Sequence, residues 1–309
     1  MQIRPAILDD TRAISALFRN RIATWQRLCE DGRVEDVDYE ALSVYERWLH
    51  GGAWMTVETG AVFLNNLLLG AGVPMVAEHG GQVFGYVEAF PNQEADPFGP
   101  HLHVGYLVAP DAETEDALLD AMVMAARARK LFKLTASTAL GEEATAALSR
   151  REGEPVFTLQ RYALTARTGQ GFYRAVELPH TDSAAINGWA MPAGRDTSPR
   201  YAWETQVERL FDTMPELAQR RAHRLRLSAS GQEVIVYCRQ QMFAPRTVDI
   251  SMWSPKSLQP QTVTALSDWA HREGYRTLRL MAGELDARAL GPDAELDPMT
   301  VTISALALK

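Results

Sequence analysis

Cysteine is nearly absent from this chain. Its 309 residues hold only Cys29 and Cys238, too far apart for a CxxC pair or a thiolate metal site. No disulfide framework is available, which fits a reducing compartment. Long apolar runs are missing as well. The best, Val62 to Leu69, is broken by Asn65 and Asn66 and is far too short to span a bilayer, so no membrane is expected. Met1-Gln2-Ile3-Arg4-Pro5 leads into Asp9 and Asp10 without the apolar core of a secretion signal, and the expected location is cytoplasmic. There is no excess of basic residues. Net charge is −8, with −9 carried by residues 1–166 and +1 by the rest. Neither half offers the basic face that a phosphate backbone requires, so no nucleic acid is expected.

What is present suits a folded α/β protein. Hydrophobic residues make up 46% of a chain long enough for two domains. Ile3 to Ile7 reads as a strand. Asp9 or Asp10 caps a following helix carrying Ile14, Leu17, Phe18, Ile22 and Trp25 at helical spacing. Helices are predicted near Tyr39–Leu49 and Thr59–Leu69. Val73–Glu78 and Val83–Phe90 flank Gly80-Gly81 as a hairpin. A strand over His101–Ala109, a helix over Glu113–Lys130, a strand over Leu131–Ser137, a helix over Glu142–Glu152 and a strand over Val156–Ala166 follow. Residues 167–171 have the composition of a linker. The second half repeats the outline. Strands are expected over Phe172–Leu178, Glu233–Gln241, Thr247–Trp253, Arg276–Met281 and Met299–Leu308. Helix is expected through most of Pro199–Leu227, so the basic run Arg220–Arg226 falls at a helix end; Pro260 opens a further helix. This order suggests an old duplication, with domains at 1–166 and 172–309.

The strand His101–Ala109, then Pro110-Asp111, then a helix carrying Ala117-Leu118-Leu119-Asp120-Ala121, decides the family reading. With the opening Ile3-Arg4-Pro5-Ala6…Asp9-Asp10…Ile14…Leu17, it resembles the GNAT superfamily of acyl-CoA-dependent N-acetyltransferases. The first half matches the whole outline. The second half is similar chiefly in Val248–Pro255, the helix after Pro260 and Leu278–Met281. The resemblance implies an α/β (α+β) chain of two tandem domains, each a mixed, mostly antiparallel sheet flanked by helices. It also implies acetyl-CoA as co-substrate, no metal, and an acceptor that is a small amine, a peptide N-terminus or a lysine.

In such proteins a splayed strand offers its backbone to pantetheine, and a glycine-rich turn at the next helix aims N–H groups at pyrophosphate. The strand end here maps to Leu107, Val108 and Ala109, and the Val108 N–H is placed to stabilise an oxyanion. The turn departs from the pattern. Pro110 to Leu119 holds no glycine and carries Glu113, Glu115 and Asp116. Each like charge beside a phosphate costs on the order of 1 kcal/mol in water. The corresponding second-half turn, Trp253-Ser254-Pro255-Lys256-Ser257, also lacks glycine, but nothing acidic crowds it within this segment, and Ser254, Lys256 and Ser257 suit a phosphate.

Amine acylation needs a base, and an acid for the leaving thiolate. His103 falls near the family's glutamate, on the same strand face as His101, and Glu88 is the other candidate base. The two histidines also read as half-exposed residues at a strand start. Ser149 stands where the family has its acidic tyrosine and is a poor substitute. An acetyltransferase is therefore expected, against an alternative in which the fold survives as an inactive ligand-binding or protein-interaction module. A homodimer stays open.

Overall fold

The computed structural model describes residues 1–29, 31–169, 171–178, 183–207, 210–217 and 221–308. Two compact units are present: Met1–Phe90 with Tyr106–Ala125 and Leu210–Gln219, and Pro91–Gly105 with Ala126–Arg209 and Arg220–Lys309. They cut across the expected division into 1–166, 167–171 and 172–309. The reason lies in the strand order described below.

The first unit opens with β1 (Gln2–Pro5), α1 (Thr11–Arg19) and a small hairpin of β2 (Gln26–Leu28) and β3 (Val34–Asp36). Helices α2 (Val44–Leu49) and α3 (Val57–Leu69) follow. Ser43 and Glu46 form a reciprocal capping box on α2, and Thr56 caps α3 through the Thr59 N–H. Strands β4 (Met75–His79) and β5 (Gln82–Gln93) pair antiparallel about Gly80 and Gly81, whose φ of +57° and +82° suit residues without a Cβ. β1 pairs with the far edge of β4, and Arg4 binds both Asp10 and Glu78 there. The core is aromatic. Phe18 stacks on Trp54 at 5.7 Å, and Trp54 meets Tyr86 edge-on at 5.0 Å.

The chain crosses into the second unit within β5 and returns within β6 (Pro100–Val108), which leads into α4 (Ala112–Ala128). The second unit then holds β7 (Lys133–Ser137), α5 (Glu143–Ser149), β8 (Glu154–Thr165), β9 (Tyr173–Glu177), β10 (Ala190–Ala193) and a short α6 (Pro199–Ala202). β11 (Ala222–Ala229), β12 (Gln232–Gln240), β13 (Thr247–Ser254), α7 (Pro260–Arg272), β14 (Thr277–Ala282) and β15 (Glu295–Ala307) complete it. Its sheet runs β7-β15-β8-β14-β13-β12-β11-β9. The last strand of each sequence half has therefore changed sides. β15 pairs antiparallel with β7, β8 pairs antiparallel with β14, and β8 and β15 pair with each other. A cut at 167–171 would separate strands that share ladders.

Period-2 alternation builds cores on both faces of this sheet. Val234, Val236 and Cys238 of β12 pack with Leu266 and Trp269 of α7, while Ile235 and Tyr237 pack with Trp203 and Trp253 opposite. One expectation fails clearly. Pro199–Leu227 is not mostly helix: α6 ends at Ala202, one wider turn reaches Val207, and Ala222–Leu227 belongs to β11. Arg224, Leu225, Arg226 and Leu227 alternate polar and apolar, and both leucines enter the core. The basic run thus lies on a strand and not at a helix end, with Arg220 outside the described residues.

Candidate active site

The first-half candidates lie along β6 and the turn that follows it. β6 pairs in parallel with β7 from His101–Lys133 to Val104–Ala136, then continues alone of the two through Gly105–Val108. Leu107 and Val108 are buried and Ala109 is half-buried. Asp111 sits just before α4, and its carboxylate accepts the Thr114 N–H at 2.8 Å. That hydrogen bond holds the Asp111 carboxyl below its ordinary range. One of the helix's first donors is therefore already matched to a negative charge, as the acidic sequence of the turn implied. Glu113 is exposed; Glu115 and Asp116 are half-buried.

Both candidate bases are fully buried, so the expectation of half-exposed histidines is corrected. Glu88 accepts the Tyr86 hydroxyl at 2.8 Å and the Trp54 indole N–H at 3.1 Å. Burial and the neighbouring Glu88 push the Tyr86 phenol well up. His103 Nδ1 lies 2.9 Å from Thr135 Oγ1, and its buried Nε2 has no hydrogen-bond partner among the described residues. Burial holds His103 far below the usual imidazole range, with His101 and Arg195 adding to the effect. The ring is neutral at neutral pH, with one unpartnered nitrogen. Ser149 donates to Thr145 O at 3.0 Å, so its hydroxyl is engaged within α5.

Beside His103 is a buried cluster that the sequence reading missed. Arg195 binds Glu94 through both terminal nitrogens, at 2.5 and 3.0 Å, and lies over the Phe98 ring at 4.1 Å. His101 Nδ1 meets Gly99 O at 2.9 Å, and its Nε2 faces Glu94 at 3.5 Å. Burial lowers the His101 imidazole, against the pull of Glu94. Arg195 and Glu94 are a hundred positions apart, and nothing local announces the pair.

The second-half turn has little to offer a nucleotide. β13 and β14 pair in parallel only over Thr247–Asp249 and Thr277–Arg279, then diverge. The gap that a pantetheine arm would need is occupied by the chain itself. β10 pairs antiparallel with β13, and Gly194 donates its N–H to Met281 O at 2.6 Å on the β14 side. The turn's donors are also engaged. Lys256 N–H goes to Ser254 Oγ and Leu258 N–H to the Asp286 carboxylate, while Gln232 holds Ser254 Oγ and Ser257 O. Trp253 is buried against Trp203 and donates to Pro199 O, so its side chain faces the core. Pro255, Lys256 and Ser257 are the exposed residues of the turn.

No protein-family model matches the chain, and neither does any curated protein. Solved structures do match. A GCN5-related N-acetyltransferase from Anabaena variabilis aligns over 100% of this chain and 73% of its own, at TM-score 0.61 and 10% identity. A probable N-acyltransferase from Enterococcus faecalis aligns over 100% and 72%, at 0.57 and 12%. Eis1 from Mycobacterium abscessus aligns over 100% and 74%, at 0.56 and 12%. The chain has the fold of the GCN5-related N-acetyltransferases. At these identities the likeness speaks to fold alone. Among the described residues no helix is long and apolar enough to cross a membrane, and no group of three or more metal-capable side chains gathers.

Proposed function

We propose that this protein transfers an acyl group, an acetyl group in the simplest case, from a coenzyme A thioester to an amine, and that only its first half does so. The supporting observation is β6 itself: its parallel pairing with β7 ends at Val104–Ala136 while the strand runs on through Val108. Backbone groups of Leu107, Val108 and Ala109 would take the pantetheine arm and aim the thioester carbonyl at the Val108 N–H. The thioester supplies the electrophilic carbon. His103 is the better base, since it is neutral and its Nε2 has no partner, whereas Glu88 already serves two donors. It would take the proton that the attacking amine loses. No side chain of α5 replaces the missing acid, so the thiolate would leave without protonation from Ser149.

Isothermal titration with acetyl-CoA, followed by thiol release with a panel of primary amines, tests this reading. Binding with amine-dependent thiol release, reduced at least a hundredfold by His103→Gln, is expected. Absence of binding at millimolar acetyl-CoA would end it. One observation favours a second reading, an inactive ligand-binding descendant: β10 closes the β13–β14 gap. Under that reading neither half binds the thioester, and the same titration separates the two.

A further inference from the structure

Where β13 and β14 diverge, the second unit carries an open cavity of about 170 Å³ that Gly194 helps to line. Its polar wall carries Arg161, Arg239 and Arg279 together with Asp196 and Asp249. Two of the arginines have carboxylates of their own. Arg161 holds Asp297 at 2.8 and 2.9 Å, and Arg279 holds Asp249 at 3.0 Å. Arg239 and Asp196 remain. Arg239 makes no hydrogen bond or ion pair among the described residues, and its Nε is buried. Among the described residues Asp196 has no cation within ion-pair distance; its carboxylate accepts nearby donors, among them the Thr197 hydroxyl at 3.3 Å. The two charges influence each other across the cavity without touching. Half-burying a guanidinium and a carboxylate is costly when each lacks a partner.

We propose that this cavity binds a small zwitterion, an α-amino acid with a short aliphatic side chain. Its carboxylate would pair with Arg239 and its ammonium group with Asp196. A guanidinium matches a carboxylate in a planar, two-bond geometry that no neutral ligand reproduces. The remaining wall selects the side chain, for Ile250, Leu280, Met281, Met299 and Val301 are apolar. The volume is about that of five or six waters, enough for a ligand of that size and too small for a nucleotide. The site stands apart from the acyl-transfer reading, because it uses none of the residues that reading employs. β10 links the two features of the second half: the same segment that fills the strand gap ends in Gly194 and presents Asp196.

The test titrates the full chain with L-valine and with two fragments of it, 3-methylbutanoate and 2-methylpropylamine, by calorimetry and thermal shift. Binding of L-valine at least tenfold tighter than either fragment is expected. Arg239→Gln should weaken L-valine and 3-methylbutanoate together, and Arg239→Lys less so. Asp196→Asn should weaken L-valine while leaving 3-methylbutanoate unchanged. Unaltered circular dichroism and melting of the free variants separates lost binding from lost folding. No binding of L-valine at millimolar concentration, or equal binding to Arg239→Gln and the parent, would overturn the proposal. Tighter binding of 3-methylbutanoate than of L-valine would also overturn it, in favour of a simple carboxylate site.

Discussion

Gly194 is the residue on which closure of the second half rests, and Gly194→Ala is the perturbation that measures it. The backbone at Gly194 has φ +72°, which costs a residue with a Cβ roughly 1–2 kcal/mol. A Cβ there would lie 1.8 Å from Ile250 O and 2.5 Å from Ser251 Cα, both backbone atoms of a buried strand. Neither can swing aside as a side-chain tip would, so an overpacking cost of about 1–3 kcal/mol is added. Displacing the segment also breaks the Gly194 N–H bond to Met281 O, about 1 kcal/mol net. The total is roughly 3–6 kcal/mol, which for a unit of this size lowers Tm by roughly 6–24 °C. Scanning calorimetry gives the shift, and hydrogen exchange gives its place: amides of Ala190–Ala193 should lose protection first. A variant with the parent's Tm and unchanged protection at β10 would refute the claim that Gly194 wedges the two strands.

Three further outcomes follow from the same geometry. Arg195→Met removes one partner of the buried Arg195–Glu94 pair and should cost about 3–5 kcal/mol in urea unfolding; the double replacement with Glu94→Leu should recover much of that. Both His101 and His103 have folded-state pKa values below the ordinary imidazole value. Below a pH of about 6.5 the unfolded chain gains protons that the folded chain refuses, so stability falls as pH falls, by up to about 2.7 kcal/mol per pH unit. Urea titrations between mildly acidic and neutral pH check the slope, which His103→Gln should roughly halve. Asp111→Asn keeps a good helix cap but removes one negative charge beside the expected pyrophosphate. It should tighten acetyl-CoA binding by about 1 kcal/mol, near fivefold, with the gain shrinking at high salt.

The first half was largely legible in the sequence because its signals are local. Gly80-Gly81 between alternating apolar residues and Pro110-Asp111 before a helix each specify their own element. Pro260 at the start of α7 did the same in the second half. Asp10, by contrast, does not cap α1, its carboxylate taking the Ile7 N–H and Arg4 instead. Pro199–Leu227 failed because its arginines and leucines alternate, a period-2 pattern that a helical reading of the whole segment overrides. Strand exchange left no trace, since β8 and β15 look the same in sequence whichever neighbour they take. Burial of His101 and His103 was also hidden. Their neighbours Glu94, Thr135 and Arg195 come from distant positions, and a lone His-x-His on a strand says nothing about them. The β10 plug was missed for a related reason. Ala190 to Ala193 is too short to stand out.

Hydrogen exchange of the full chain with and without a non-hydrolysable acetyl-CoA analogue addresses the division of labour directly. New protection confined to Gly105–Asp111, with none at Met252–Leu258, is the expected result. Protection at Met252–Leu258 would mean that β10 yields its place to the donor, and the assignment of transfer to the first half alone would fall.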